Sequence, residues 1–151
     1  MTNPSRRILP PIWLFASILA SYALNRWLPL APLLPQPWNF AGLALILLGG
    51  TLSITSALSF KRAGTPVMPF APSTALVTGG WYRFTRNPMY LGLGLILTGV
   101  ALMGGSLGAL LPLPVFIAVI QFRFIHGEER FLQGIFGQQY LDYCSRVRRW
   151  I

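Results

Sequence analysis

Apolar runs long enough to cross a bilayer, separated by short polar stretches, dominate the pattern of this chain. A helix rising 1.5 Å per residue needs about 20 apolar residues to cross a hydrocarbon core of about 30 Å. Four runs approach that length, with charges at most near their ends. The first spans about residues 8–28, with Pro10 and Pro11 suited to a first helical turn and Arg26 and Trp27 marking its far end. The second, about 38–60, holds no ionisable group and stops at Lys61 and Arg62. The third, 88–104, begins at Pro88 and ends at a turn of Gly104, Gly105 and Ser106; the fourth, about 106–125, returns from that turn with kinks expected at Pro112 and Pro114. So short a turn makes the last two runs an antiparallel helical hairpin whose outer ends meet at one membrane face. The expected fold is therefore an all-α, single-domain, integral membrane helical bundle of about four transmembrane helices. A short amphipathic helix at the interface is expected after them, from Phe131, Leu132, Ile135, Phe136 and Tyr140, weakened by Gly134 and Gly137.

Composition supports this reading. Of 151 residues, 54% are hydrophobic and 10% charged, against about 25% charged in a typical soluble domain. The net charge of +9 does not point to nucleic acid, because too few polar residues remain to build a solvated basic face. It reads as topology instead, since Lys and Arg in short loops concentrate on the cytoplasmic side. With both termini cytoplasmic, eleven of the twelve cations fall inside: Arg6 and Arg7, then Lys61, Arg62, Arg83 and Arg86, then Arg123, Arg130, Arg146, Arg148 and Arg149. Only Arg26 falls outside. Arg6 and Arg7 before an apolar stretch also fit a signal peptide, but its removal would leave three spans and upset this balance. The single cysteine, Cys144, cannot form an internal disulfide.

Two polar clusters carry the candidate chemistry. Residues 80–92 read Gly-Trp-Tyr-Arg-Phe-Thr-Arg-Asn-Pro-Met-Tyr-Leu-Gly. Asn87 is a favoured N-cap and Pro88 a favoured first helical residue, so the third helix starts there, with its positive end beside Arg86. That combination suits a carboxylate or phosphate; the plainer reading is Arg86 snorkelling to headgroups and Tyr90 in an aromatic belt. The preceding loop from Gly64 to Asn87, with Pro66, Pro69 and Pro72 and the aromatics Phe70, Trp81, Tyr82 and Phe84, is expected to be ordered and packed rather than helical. The second cluster, His126, Glu128, Glu129 and Arg130, comes after the fourth run. The hairpin puts both clusters on one face, and an anion corner beside paired carboxylates suits a zwitterionic ligand; Glu128 and Glu129 also read simply as counterions of Arg123 and Arg130. A metal site is disfavoured, because adjacent Glu residues on a helix diverge by about 100° and no further His or Cys completes a shell. The final Arg146, Arg148, Arg149 and Trp150 have the composition of an anchor against anionic membrane lipids, or of a tail held by charge alone.

At these residues the chain resembles a known family. Arg86-Asn87-Pro88-Met89-Tyr90-Leu91-Gly92, then Glu128-Glu129, then Phe136-Gly137-x-x-Tyr140-x-x-Tyr143 and Arg146-Val147, resemble bacterial members of the isoprenylcysteine carboxyl methyltransferase and phospholipid methyltransferase superfamily. The resemblance covers about half the chain, from Gly64 to Arg149. It implies a methyltransferase of the bacterial inner membrane that uses S-adenosylmethionine, bound at the cytoplasmic face by segments 74–92 and 123–143. Carried over residue by residue, it implies cofactor contacts from Leu76, Val77, Tyr82, Asn87, Pro88, Met89, Tyr90, Gly92 and Glu128, with Arg86 on the methionyl carboxylate. Position 87 departs from the pattern, since many members have His there; Asn still hydrogen-bonds but does not titrate. The methyl acceptor implied is a lipophilic small molecule or lipid. A carboxylate acceptor needs no general base, whereas an amine must first lose a proton, which Glu129 or His126 would assist. The competing readings are a nicotinamide-dependent membrane reductase and a non-enzymatic small transporter or membrane subunit; transport is disfavoured because no ionisable residue lies clearly inside a span.

Overall fold

The computed structural model describes residues 9–68 and 73–151, and its regular elements are all helical. The expectations placed on Arg6, Arg7, Pro69, Phe70 and Pro72 lie outside the described residues. The helices are α1 (Pro10–Trp27), α2 (Trp38–Arg62), α3 (Pro88–Gly104), α4 (Leu107–Phe136) and α5 (Gln138–Arg146). Proline occupies the first turn of α1 and of α3, where its missing N–H costs nothing.

Two of these, α2 and α4, are long and apolar enough to cross a membrane. Only 17% of the most apolar stretch of α2 is buried, so its apolar surface faces outward, with Leu47 and Ile54 exposed. Phe15 and Leu19 on α1 and Val115 on α4 are exposed as well. Helices that are apolar all round belong in lipid.

The bundle is built around α3. Against α2 it packs backbone to backbone through two glycine pairs, Gly42 with Gly99 and Gly49 with Gly92, seven residues apart on each antiparallel helix. A methyl group on any of the four would run into the opposite backbone carbonyl. Small residues at such crossings let helices approach closely where lipid provides no hydrophobic driving force. The other side of α3 joins α4 in the core: Tyr90, Leu97, Phe116, Ile120, Phe124 and Ile125, flanked by Trp13, Leu14 and Ile18 of α1.

The hairpin turn forms as the sequence predicts. Gly105 takes the left-handed conformation (φ +77°) that closes α3, and the Ser106 side chain accepts a hydrogen bond from the Ala109 amide to open α4. Polar side chains lace this end together: Ser21 Oγ donates to the Ala109 carbonyl (2.7 Å), Asn39 Nδ2 to the Met103 carbonyl (3.1 Å) and Ser106 Oγ to Asn25 Oδ1 (2.6 Å).

The fourth run differs from expectation. Its helix is interrupted at Leu111, just before Pro112, and then continues through a π-helical stretch, Ile120–Ile125, directly into His126–Phe136. The predicted interfacial helix is therefore mostly the end of α4. Gly134 lies within it without breaking it, since a helical glycine costs only about 1 kcal/mol. The break comes at Gly137 (φ +51°), where α5 starts. At 1.5 Å per residue this 30-residue helix spans about 45 Å, more than a hydrocarbon core requires, so its last turns carry polar residues beyond the apolar bundle.

Candidate functional site

The site forms where the Pro88 end of α3, the Phe136 end of α4, α5 and the loop before α3 converge. The loop is ordered by its own polar residues: Thr74 bonds Thr65 and the Gly64 carbonyl, Trp81 Nε1 donates to Thr55 Oγ1 (3.0 Å), and Tyr82 packs edge-on against Phe60 at 5.3 Å. Tyr82 is thus buried as expected, whereas Trp81, despite its bond to Thr55, and Phe84 are exposed. On α4, the π stretch adds a residue to the turn, which rotates the rest of the helix by about 100° and sets the face of His126–Phe136 that looks toward α3.

The two sequence-distant clusters meet. Tyr90 donates a 2.6 Å hydrogen bond to Glu128 Oε1, and Arg86 Nη1 lies 3.3 Å from Glu129 Oε1. Glu129 has a second cation that the sequence did not reveal: Arg149 donates from Nε to Oε1 (2.9 Å) and from Nη2 to Oε2 (2.8 Å), a bidentate pair. The backbone around Arg149 is also docked. The carbonyl of Arg148 accepts from the Arg86 amide (2.9 Å), and that of Arg149 from Asn87 Nδ2 (3.0 Å) and Thr85 Oγ1 (3.2 Å). Trp150 Nε1 donates to Gln121 Oε1, and the Gln121 amide nitrogen meets His126 Nε2 at 3.1 Å. This corrects two expectations. Arg149 and Trp150 are ties to the site, where a lipid anchor or a tail held by charge alone was expected. Asn87 holds the N-cap position of α3 but makes no side-chain cap bond, because its amide holds the tail.

Around these groups lies an open cleft with about 850 Å³ of empty space, counting its mouth. Leu76, Val77, Tyr82, Arg86, Asn87, Met89, Tyr90, Glu128 and Glu129 all line it. Pro88 and Gly92 do not: Pro88 is buried at the helix start, and Gly92 is pressed against Gly49 and Ser53 of α2. His126 also stays outside the lining and is held by Gln121. The lining further includes Tyr140, Tyr143, Phe131 and Leu132, which the sequence marked only as motif or amphipathic positions. Burial pushes the phenols of Tyr82, Tyr140 and Tyr143 up, so they stay protonated, and Tyr143 uses its proton to bond the Tyr82 carbonyl at 2.7 Å. Among the described residues no three His, Cys, Asp or Glu side chains converge on a metal position.

If the tail is part of the site, Arg149→Gln should loosen it. The pair is partly exposed, so the expected cost is about 1 kcal/mol. Faster hydrogen exchange at the Arg86 amide should accompany a small fall in melting temperature; an unchanged amide would mean that the tail is held without Arg149.

An apolar helical bundle with a mostly apolar, carboxylate-bearing cleft at one end defines a membrane protein with a candidate small-molecule site at its polar margin. The chain belongs to the phospholipid methyltransferase family, whose model matches residues 38–139. Among curated relatives it is 33% identical over 126 residues to protein-S-isoprenylcysteine O-methyltransferase B of Arabidopsis thaliana, covering 77% of this chain and 61% of that protein. It is 34% identical over 128 residues to the A form of the same plant, covering 78% of this chain and 62% of that one. The chain thus spans less than two thirds of the length of either plant relative. An uncharacterized protein of Haemophilus influenzae is 43% identical over 63 residues, 42% of this chain and all of that one. Of solved structures, the eukaryotic intramembrane Ras methyltransferase ICMT shares the fold, with a TM-score of 0.67 at 24% identity over the whole of this chain and 53% of that one.

Proposed function

We propose that this protein is an S-adenosylmethionine-dependent methyltransferase acting on a lipophilic acceptor at the membrane surface. The observation that carries the reading is the single cleft in which Arg86, Tyr90, Glu128 and Glu129 come together, in a chain of this family. The residues suit the donor molecule. The Nε of Arg86 is buried with no partner, which leaves a donor for a carboxylate, and Glu128 keeps its second oxygen for a hydroxyl or ammonium group. Leu76, Val77, Met89 and Leu132 supply apolar walls for a purine.

When bound, S-adenosylmethionine supplies a methyl group on a sulfonium, and the electron pair of the broken C–S bond returns to sulfur as the acceptor's oxygen or nitrogen takes the methyl. The protein's part is then alignment and exclusion of water. Arg86, held by Glu129, orients the amino-acid end, and Tyr90 fixes Glu128. For a carboxylate acceptor no base is needed, which suits a site whose Glu129 has both oxygens committed to Arg86 and Arg149.

The finer topology belongs to the same proposal: four spans, α1 to α4, with the cleft and both termini on the cytoplasmic side of a bacterial inner membrane. Its support is that Lys61, Arg62, Arg83, Arg86, Arg123, Arg130, Arg146, Arg148 and Arg149 gather at the cleft end of the bundle while Arg26 lies at the other. Isothermal titration of the detergent-solubilised chain with S-adenosylhomocysteine tests the function. Saturable binding at one site is expected, and a chain that does not bind it is not this enzyme.

A further inference from the structure

A groove of about 400 Å³ runs between α1 and α4, from Trp13 and Val119 at the cleft end to Leu24 and Leu111 at the hairpin end. It shares no lining residue with the cleft. Ala16 and Ala20, one turn apart on α1, leave the room for it, and Ser17 supplies the one hydroxyl of its lining. From Trp13 to Leu24 the helix rises about 16 Å, half of a hydrocarbon core of about 30 Å and so the depth of one lipid leaflet. Val115 in its wall is 63% exposed, so the groove opens outward to the membrane.

A cation stands at the cleft end of this groove. Arg123 follows Val119 by four residues along α4, and its guanidinium carbon lies 6.0 Å from the centre of the Trp13 ring, a cation–π contact. The residue is exposed. The chain has three acids against twelve cations, and among the described residues none pairs with Arg123. Glu128 bonds Tyr90, Glu129 bonds Arg86 and Arg149, and Asp142 accepts from Gln138 on α5. Trp13 Nε1, at the same end, is buried without a hydrogen-bond partner. An unneutralised cation and an unmet donor at one end of an apolar groove suit a negatively charged head on an apolar chain.

We propose that this groove is a binding site for an anionic phospholipid, one acyl chain lying between α1 and α4 and the phosphate of its head paired with Arg123. The occupant is a lipid because the groove is one leaflet deep and opens on the membrane. It is anionic because guanidinium pairs with phosphate and a net charge of +9 disfavours the ammonium of a zwitterionic head. This lipid is distinct from the methyl acceptor, since its groove lies outside the cleft lining, and the site stands whether or not the chain is a methyltransferase.

The test uses the full chain in detergent, with phosphatidylglycerol and phosphatidylcholine of the same acyl chains as probes and native mass spectrometry to count and titrate bound lipid. The parent should bind one phosphatidylglycerol about tenfold more tightly than phosphatidylcholine, the effect of one charge-assisted contact, and should melt higher as it saturates. Arg123→Gln should bring the two affinities to within about twofold of each other. Arg62→Gln, at an exposed cation that does not line the groove, should keep the preference. Ala20→Leu, or Ala16→Leu should the first fold poorly, should abolish saturable binding of both lipids. Equal affinities in the parent would overturn the proposal, as would a preference that survives Arg123→Gln or falls as far in Arg62→Gln, because charge would then act over the surface at large. Full lipid binding by a filled groove would also overturn it. So would a particle of two chains whose dimerisation is lost in Ala20→Leu, which would put a second copy in the groove.

Discussion

Glu129→Ala should be among the most destabilising substitutions in the polar end of the molecule, whereas Glu128→Ala, one residue away, should mainly cost ligand binding. The side chains of Glu129 and Arg86 are only 17% and 14% exposed, so removing the carboxylate leaves a largely buried guanidinium without its counterion. Breaking such a pair costs about 3 kcal/mol or more. The loss extends to Arg149, whose bidentate bond to Glu129 fixes the tail, and through the tail to the backbone carbonyls that hold Arg86 and Asn87. Glu128 has one partner, the Tyr90 hydroxyl, and its second oxygen is open to the cleft. Its removal should lower S-adenosylhomocysteine affinity about tenfold to a hundredfold, the worth of a hydrogen bond to a charged group, with a smaller change in melting temperature. Thermal unfolding and titration calorimetry on both variants check this. Equal melting temperatures for the two would show that Glu129 is not the structural counterion.

Gly49→Leu should disrupt the bundle itself. The Cβ alone would collide with the Gly92 carbonyl and with Ile96, and both are backed by the α3 core. Helices forced apart here also lose the Gly42 and Gly99 contact and the Ser53 bond to the Met89 carbonyl. Overpacking of this kind costs about 1–3 kcal/mol or more where backbone must move. Thermal unfolding in detergent should show a clear fall, while Gly50→Leu, one residue on with nothing within 4 Å, serves as the control and should behave like the parent. Equal effects of the two would mean that α2 and α3 are not held by close approach.

How much of the fold is legible in the chain depends on the range of each signal. The helices at 10–27, 38–62 and 88–104 announce themselves locally, by apolar length, by prolines that fit only a first turn and by the glycine that ends α3. The meeting of Arg86 with Glu129 and of Tyr90 with Glu128 rests on the same local signals, because a short turn between two runs fixes which ends adjoin. The helix of the fourth run continues past Ile125 to Phe136, where the polar residues suggest an exit from the membrane, because backbone hydrogen bonding runs on independently of hydropathy.

By itself the sequence determined an all-helical apolar chain with its polar chemistry gathered at one end, since hydropathy, charge placement and turn residues act over a few positions. Tertiary structure alone decided the rest. Gly92 belongs to a helix crossing while Gly94 faces open space, and Arg149 reaches across 20 residues to Glu129. Those outcomes depend on the distance and rotation between helices, which arise from all their side chains packing together and leave no mark on any single stretch of chain.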